Sequence, residues 1–420
     1  MTSKERVLAS LNHKQPDKVA VDFGGTAVTG IHVMVIEGLR KHYGLAPKPV
    51  KVIEPYQMLG EVDDELKAVM GIDTVGISAR NTMFGFPNDN WKEFKTFWGQ
   101  TVLVSDKFIT KIDEKGDLLI YPEGDTTAPP SGHMPNSSFF FDTISRNQPV
   151  MDDSTLKLED NLEEFGLMKE TDIKYWKDKM ATVANTDRAV IGNIGGTGLG
   201  DIALVPGPFM KYPKGIRDIT DWYMSTVMRS DYIKAIFEKQ TDIAIQNLKT
   251  FKEISGTKVD VAFICGTDFG TQDSQFCSPD TFRDLYKPYY RKMNDWIHAN
   301  TNWKTFKHSC GAVEPLIPEF IDAGFDIINP VQINAVGMDS QKLKDKYGNH
   351  ITFWGGGVDT QKVLSFGTPK DVEKQVIEQC KILSKNGGFI FNTVHNTQAN
   401  TPIDNLASMI KAIKTFNGEK

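Results

Sequence analysis

Cysteine is scarce in this sequence, long apolar runs are lacking, and basic residues do not cluster. Four cysteines in 420 residues (Cys265, Cys277, Cys310 and Cys380) are too few for a disulfide scaffold, which favours a reducing cytoplasmic location. No stretch approaches the roughly 18 apolar residues of a membrane-spanning helix, so no membrane association is expected. The formal net charge is only −6, and no Lys/Arg block occurs, which argues against nucleic acid as a partner.

The first residues do not have the pattern of a secretory signal. Val7, Leu8 and Leu11 recur at helical spacing among charged residues, without a continuous apolar core. The composition, with 40% hydrophobic and 24% charged residues, is that of a globular protein with a large core. We therefore expect a single soluble domain over residues 1–420.

Short apolar runs alternate with helical segments along most of the chain. Such alternation builds a parallel sheet, and eight units predict an α/β fold, a TIM (β/α)8 barrel with an N-terminal extension. The helical segments include Asp221–Phe251, Pro279–Ala299, Val313–Ala323 and Lys370–Ser384. The predicted strands are Val19–Phe23, Thr74–Ser78, Ala189–Ile194, Val259–Cys265, Thr305–His308, Asp326–Asn329, Ile351–Gly355 and Gly388–Asn392.

The segment 81–182 does not follow this alternation. Its residues 113–121 predict a hairpin, and Phe139–Phe141 form an aromatic cluster. Because the segment follows the second predicted strand, we expect an insertion that caps the barrel mouth and excludes water. Alternatively, the insertion lies on the surface and does not cap the barrel mouth.

The strongest local signal for chemistry is the sequence His308-Ser309-Cys310 after the fifth predicted strand. Alternate side chains of a strand share a face, so the imidazole and the thiol point the same way. Both are preferred zinc ligands, and the carboxyl ends of barrel strands form active sites. His395, after the last predicted strand, is the expected third ligand. Gln332, Glu314, water and the substrate remain candidates for a fourth position.

Polar residues after other strands predict further members of the site. Asp22, Asn193, Asp268 and Gln332 are the predicted catalytic residues. Asp268 could bind substrate or orient a metal ligand, and ordinary turn chemistry explains it equally well. The same alternatives apply to Asp273 and Asp359. Cys265 is expected to be a small core or rim residue, and Cys277 and Cys380 are expected to be structural.

Several segments resemble the uroporphyrinogen decarboxylase superfamily. They include the opening segment 3–25, His308-Ser-Cys-Gly with the later Gly324-Phe-Asp-Ile-Ile-Asn, Gly356-Gly-Val-Asp-Thr-Gln, and Gly387-Gly-Phe-Ile-Phe-Asn-Thr-Val-His-Asn. The resemblance covers nearly all of the chain outside the insertion and implies an α/β barrel. Decarboxylases of this superfamily carry an Arg-Gln-Ala-Gly-Arg signature at the first strand. Here that place has Asp22-Phe-Gly-Gly-Thr-Ala-Val-Thr-Gly-Ile-His, without arginine.

The resemblance instead implies the branch of zinc methyltransferases that work with corrinoid proteins. Their H-x-C motif matches His308 and Cys310, and their third ligand, commonly a cysteine, maps near His395. Zinc would polarise the methylated heteroatom, and cobalamin would come on a separate corrinoid protein, since this chain has no corrinoid-binding motif. The long insertion resembles the branch that demethylates methoxylated aromatic compounds, with Phe84, Phe86, Trp91 and Phe139–Phe141 expected around the ring.

Other functions remain open on the sequence. The methyl group could move from a methylcorrinoid to a thiol or folate, which would reverse the direction of transfer. A decarboxylase with an altered substrate would need no metal, and a non-catalytic binding protein for a corrinoid or another small ligand would keep its role without His308. The oligomeric state is also open, with a homodimer as one candidate.

Overall fold

Eight parallel strands form a nearly closed barrel in the computed structural model, which describes residues 1–419. Numbered along the chain, barrel strands 1–8 lie in the order 1-8-7-6-5-4-3-2, so consecutive strands are neighbours. The predicted TIM-barrel fold and all eight predicted strands are confirmed. The barrel strands are Ala20–Val21, Thr74–Ser78, Ala189–Asn193, Val261–Cys265, Lys304–His308, Ile327–Asn329, Thr352–Trp354 and Phe389–Phe391.

The helices surround this barrel. The pattern predicts single helices over 221–251 and 279–299, and the structure divides the first at Arg229 and the second at Tyr286. Arg229 is held out of helical geometry by contacts of 2.8 Å to Asp153 and Asp221, and Pro288 has no N–H to continue a helix across Tyr286. The helices are α1 Ser3–Leu11, α2 Val33–His42, α3 Asp64–Met70, α4 Glu170–Thr182, α5 Ile219–Met228, α6 Ser230–Ser255, α7 Pro279–Leu285, α8 Lys287–Asn300, α9 Ile317–Asp322, α10 Ser340–Tyr347, α11 Val363–Phe366, α12 Pro369–Leu383 and α13 Ile403–Phe416.

The interior of the barrel is filled by alternate side chains of the strands, as the two-residue period of a strand requires. Helix α1 closes the N-terminal end of the barrel by adding Val7 and Leu11 to this core. The opposite, C-terminal end is therefore the open one. The interior residues contributed by the strands are Ala20, Ala189, Ile191, Val261, Phe306, Ile327, Trp354 and Ile390.

Barrel strands 1 and 2 are the two ends of the strand order, and hydrogen bonds of Asp73 connect them across this seam. Its backbone N–H donates to the Val21 carbonyl at 2.8 Å, and its carboxylate accepts from the Val21 N–H at 2.9 Å. The other carboxylate oxygen pairs with Arg6 of α1 at 2.5 Å, and both side chains are buried. Arg6 therefore holds α1 onto the seam.

The insertion contains two small sheets. One is antiparallel, with strands Thr110–Ile112, Leu118–Ile120, Gly132–Met134 and Asp142–Thr143. Its first two strands form the predicted hairpin. The other combines Lys92–Lys95 and Thr101–Val104 with Val50–Glu54 and Leu59–Gly60, which lie between barrel strands 1 and 2. Helix α4, at the end of the predicted insertion, packs on α6 through Trp176 and Phe251 and so joins the helical layer of the barrel.

The aromatic residues of the insertion pack mainly on one another. Phe84 and Phe141 are fully buried and lie 5.7 Å apart between ring centroids, with Phe86 and Phe108 beside them. The expectation that Phe84, Phe86 and Phe141 surround a substrate ring is therefore wrong, because these side chains form the core of the insertion itself. A cap function for the insertion stays a prediction.

None of the helices in residues 1–419 combines the length and the apolar character needed to cross a bilayer.

The Arg6–Asp73 pair gives a stability prediction. Arg6→Ala leaves a buried carboxylate without its partner, so the free energy of unfolding in urea should fall by about 3–5 kcal/mol. Arg291→Ala is the matched control, because Arg291 and its partner Asp322 are both half exposed, and its effect should stay below about 1 kcal/mol. Equal effects for the two variants would contradict the assigned role of Arg6.

Candidate metal centre

His308 and Cys310 lie together where barrel strand 5 ends. His308 is the last residue of the strand, and its Nε2 lies 3.4 Å from the Cys310 Sγ. Ser309, between them, points the other way and accepts a hydrogen bond from the Phe269 N–H at 2.8 Å. The alternation of a strand thus brings the imidazole and the thiol to one face, as predicted.

The orientation of the His308 ring is set by Asn329 of barrel strand 6. The two residues are register partners, and His308 Nδ1 lies 2.6 Å from Asn329 Oδ1. The Asn329 amide nitrogen donates to the Trp354 carbonyl at 2.8 Å, so its oxygen is the atom that faces His308. Nδ1 therefore donates, and the lone pair of Nε2 is directed toward Cys310, as in protein metal sites.

Asp268, after barrel strand 4, is the third member of this group. Its Oδ1 accepts from the Cys310 N–H at 2.6 Å and lies 3.5 Å from His308 Nε2. One oxygen, one nitrogen and one sulfur atom thus lie within 4.8 Å of one another. Asp268 was predicted as a catalytic residue or an orienting group, and its position suits a metal ligand as well.

Two glycines allow the loops after strands 4 and 5 to approach closely. Gly311 has φ +92°, and a Cβ added to it would lie 2.3 Å from the Gly270 carbonyl carbon. Any other residue at position 311 would push the two loops apart. Asp268 reaches the Cys310 N–H because this side chain is absent.

Electrostatics at this group favour a bound cation. Burial lowers the pKa of His308, which keeps the imidazole neutral and able to coordinate. Burial raises the pKa of the Cys310 thiol, and the negative charge of Asp268 adds to that shift. A divalent ion would stabilise both the thiolate and the carboxylate. Nitrogen, sulfur and oxygen donors on neighbouring strands fit zinc, whose preferred ligands they are.

Among the residues that the structure describes, His395 is not part of the group formed by Asp268, His308 and Cys310. Its Nδ1 lies 3.2 Å from the Asn396 carbonyl, in the loop after barrel strand 8, and its side chain lines a cavity. Its role as a zinc ligand stays a prediction.

Gln332 lies between the metal group and that cavity. Its Oε1 accepts from the Gly311 N–H at 2.6 Å, and its Nε2 donates to Gln272 at 3.0 Å. Glu314, the other side chain considered for a fourth ligand position, is paired with Lys346 and Tyr347, each at 2.7 Å. The geometry therefore favours Gln332 over Glu314 as a residue of the site.

Asp22 and Asn193 have local partners. The fully buried Asp22 carboxylate accepts from Thr74, Gly25 and Trp354 at 2.5–3.0 Å, which links barrel strands 1, 2 and 7. Burial raises its pKa. Asn193 accepts from the Gly195 N–H at 3.2 Å, within its own loop. These contacts give both residues structural roles, and their predicted catalytic roles stay untested.

Two charged residues near the metal group were not predicted from the sequence. Lys307 is fully buried, and its Nζ donates to the carbonyls of Thr267 and His308 at 2.6 Å. Asp201 lies in the glycine-rich loop after strand 3, and burial raises its pKa to about 6, with the charge of Asp268 contributing. A lysine within an apolar strand is unusual, so the sequence could have singled out Lys307. No comparable feature of the sequence singles out Asp201.

A second group, Asp113, Asp117 and His133, lies on the antiparallel sheet of the insertion. Its carboxylates accept the backbone N–H groups of Lys115, Asp117 and Asn136 at 2.8–3.0 Å. Turn formation accounts for these acidic residues, so the group at the barrel mouth is the stronger candidate.

Comparison with known proteins agrees with the barrel geometry. The model of the uroporphyrinogen decarboxylase (URO-D) family matches residues 147–416, more than half of the chain. A methyltransferase from Methanosarcina mazei superposes with a TM-score of 0.57 at 18% identity, over 99% of both chains. A D-psicose 3-epimerase covers 59% of this chain and 82% of its own at 8% identity, with a TM-score of 0.34. No curated protein sequence matches the chain.

The ligand assignment predicts the zinc content of variants. After reconstitution and gel filtration, His308→Ala and Cys310→Ser should each retain far less zinc per chain than the unsubstituted protein, because each loses a donor atom. His350→Ala and Cys277→Ser are matched controls outside the group and should retain normal zinc, measured by mass spectrometry of the metal. Unchanged zinc in both ligand variants would refute the assignment.

Proposed function

Because the chain belongs to the uroporphyrinogen decarboxylase family, and because its barrel mouth gathers an imidazole, a thiol and a carboxylate, we propose that it is a zinc-dependent methyltransferase. It would move a methyl group between a small methylated substrate and the cobalt of a corrinoid on a separate protein. The observation that carries the proposal is the group formed by Asp268, His308 and Cys310. Three donors from two strand ends leave room for a substrate atom, as in catalytic zinc sites.

In this proposal His308 and Cys310 hold the metal, with Asp268 or His395 as a further ligand. Bound zinc supplies Lewis acidity toward the heteroatom that carries the methyl group. The chain itself orients the ligands: Asn329 presents the Nε2 of His308, and Asp268 holds the backbone of Cys310. The methyl–heteroatom bond would break with its electron pair left on the heteroatom, and the new bond to carbon would use an electron pair of a cobalt(I) corrinoid.

The lack of arginine after barrel strand 1 argues against decarboxylation of a tetracarboxylate. Segment 22–32, which follows the strand, contains no arginine. Its acidic residue, Asp22, is buried and bonded to Thr74 and Trp354, so it cannot turn toward a ligand without breaking those bonds. Substrate carboxylates would find no counter-charge on this segment.

An exposed apolar surface beside the mouth supports a protein partner. Helix α5 exposes Met224, Val227 and Met228 by 50%, 76% and 68%. On the same helix Tyr223 stacks on Phe276, which lies in the loop after barrel strand 4 that also carries Asp268, so this helix borders the metal group. Exposed apolar patches of this kind are typical of docking surfaces. We expect the corrinoid protein to approach here.

The test is methyl transfer with zinc-loaded protein and reduced cobalamin. Methoxylated aromatic, aliphatic methoxy and methylthio compounds are offered in turn, and methylcobalamin is followed by its absorbance. We expect methylcobalamin with at least one class of donor, and a loss of at least about 100-fold in rate for Cys310→Ser, because an interaction used in the transition state is removed.

The reverse reaction is tested in the same preparation. Methylcobalamin is supplied together with a thiol or a folate, and loss of the methyl group indicates transfer toward that acceptor. Cys277→Ser serves as the control for both directions. Failure of a zinc-loaded protein in both directions, with all donor and acceptor classes, would contradict the proposal.

A further inference from the structure

A cavity of about 260 Å³ lies beside the metal group, between the loops that follow barrel strands 6, 7 and 8. Its volume is below that of pockets for drug-sized ligands, so its occupant is small. The residues that line it are Gln332, Thr360, Gln361, Ser365, Val394, His395, Thr397, Gln398 and Thr401. Gln361 is exposed, which gives the cavity an entrance from solvent.

Gln332 connects this cavity with the metal group. Gln332 lines the cavity while its Oε1 accepts from the N–H of Gly311, next to Cys310. His395 lines the same cavity from the loop after barrel strand 8. A ligand in the cavity could therefore present one of its atoms to the metal group.

The residues around the cavity carry no permanent charge, and the surface that they turn to it is more apolar than polar. Seven of its nine residues are amides or alcohols, and none of the nine, all in the described part of the chain, is Asp, Glu, Lys or Arg. An ionic ligand would be desolvated there without a counter-charge, which is unfavourable. Amides and hydroxyls both donate and accept hydrogen bonds, which suits a neutral ligand with several oxygen atoms.

Individual atoms in the lining remain available for a ligand. The Oε1 of Gln361 accepts from Asn334 at 2.6 Å, which leaves the Gln361 amide nitrogen to donate to a ligand. His395 Nδ1 donates to the Asn396 carbonyl, which leaves the lone pair of Nε2 as an acceptor. A ligand hydroxyl could donate to that nitrogen.

We propose that this cavity is the substrate pocket, that its substrate is a small uncharged polar methyl ether, and that His395 binds this substrate. The inference rests on the proposed methyltransferase function and narrows its donor class. It also assigns His395 a different role from the zinc ligand predicted from sequence. On transfer the methyl–oxygen bond would break with its electron pair left on oxygen, an electron pair of the corrinoid cobalt(I) would form the new bond to the methyl carbon, and the oxygen would take a proton from water so that the substrate leaves as an alcohol.

The test is direct binding, measured by calorimetry with zinc-loaded protein and no corrinoid. Four probes share a methoxy group and differ in the rest of the molecule: 3-methoxypropane-1,2-diol is neutral, methoxyacetate anionic, 2-methoxyethylamine cationic and 2-methoxyphenol aromatic. We expect the diol ether to bind most tightly. Stronger binding of an ionic or aromatic probe, or no binding of the diol ether, would overturn the proposed substrate class.

Variants test the place of binding and the role of His395. His395→Ala should weaken binding of the diol ether about 10-fold, because one hydrogen bond is lost, and should keep its zinc. Ser365→Phe should abolish binding by filling the cavity, whereas Ser154→Phe, at an exposed position outside it, should not. Loss of zinc from His395→Ala would make that residue a metal ligand and overturn its assignment to the substrate.

The two proposals fail in different ways. If the diol ether binds as predicted but no donor yields methylcobalamin, the methyltransferase function is wrong and the pocket stands. If some donor yields methylcobalamin at the same rate and the same KM in Ser365→Phe and His395→Ala, the function stands and the pocket assignment is overturned.

Discussion

The hydrogen bond between His308 Nδ1 and Asn329 Oδ1 is the interaction on which the site depends. It joins two neighbouring strands in register and fixes the tautomer of the imidazole, so that Nε2 faces the Cys310 sulfur. Without it the ring could rotate, and the nitrogen lone pair would not be directed at a common point with the thiol. Asn329 is itself held by the Trp354 carbonyl of strand 7, which extends the network over three adjacent strands. Metal sites commonly rely on such supporting contacts.

The barrel explains why residues distant in sequence meet at this point. All eight strands are parallel, so every loop that follows a strand emerges at the same end, and α1 closes the other end. Asp268 and Cys310 lie 42 positions apart along the chain, yet the carboxylate accepts the cysteine N–H, because their loops follow adjacent strands. Lys307 is buried at this end of the barrel, and burial together with the charge of Asp268 raises the pKa of Asp201 to about 6. A divalent cation would stabilise the negative charge of Asp268.

The strands and the His308–Cys310 pair could be predicted from sequence, because both follow from the two-residue period of a strand. The helix break at Tyr286 could have been predicted from Pro288, whereas the break at Arg229 could not, since it depends on ion pairs with Asp153 and Asp221 that only the fold brings together. The aromatic residues of the insertion were assigned to a substrate because composition does not reveal which neighbours a ring has. Phe84 and Phe141 pack on each other instead. The membership of Asp268 in the metal group depends on the close approach of Gly270 and Gly311, which no local pattern indicates.

The central claim is that ligands from different strand ends jointly hold a zinc ion. X-ray absorption spectroscopy at the zinc edge tests it most directly, because sulfur and lighter ligands scatter at different distances. The account predicts one sulfur at about 2.3 Å together with nitrogen or oxygen ligands at about 2.0–2.2 Å. A spectrum of the zinc-loaded protein with no sulfur neighbour would contradict it.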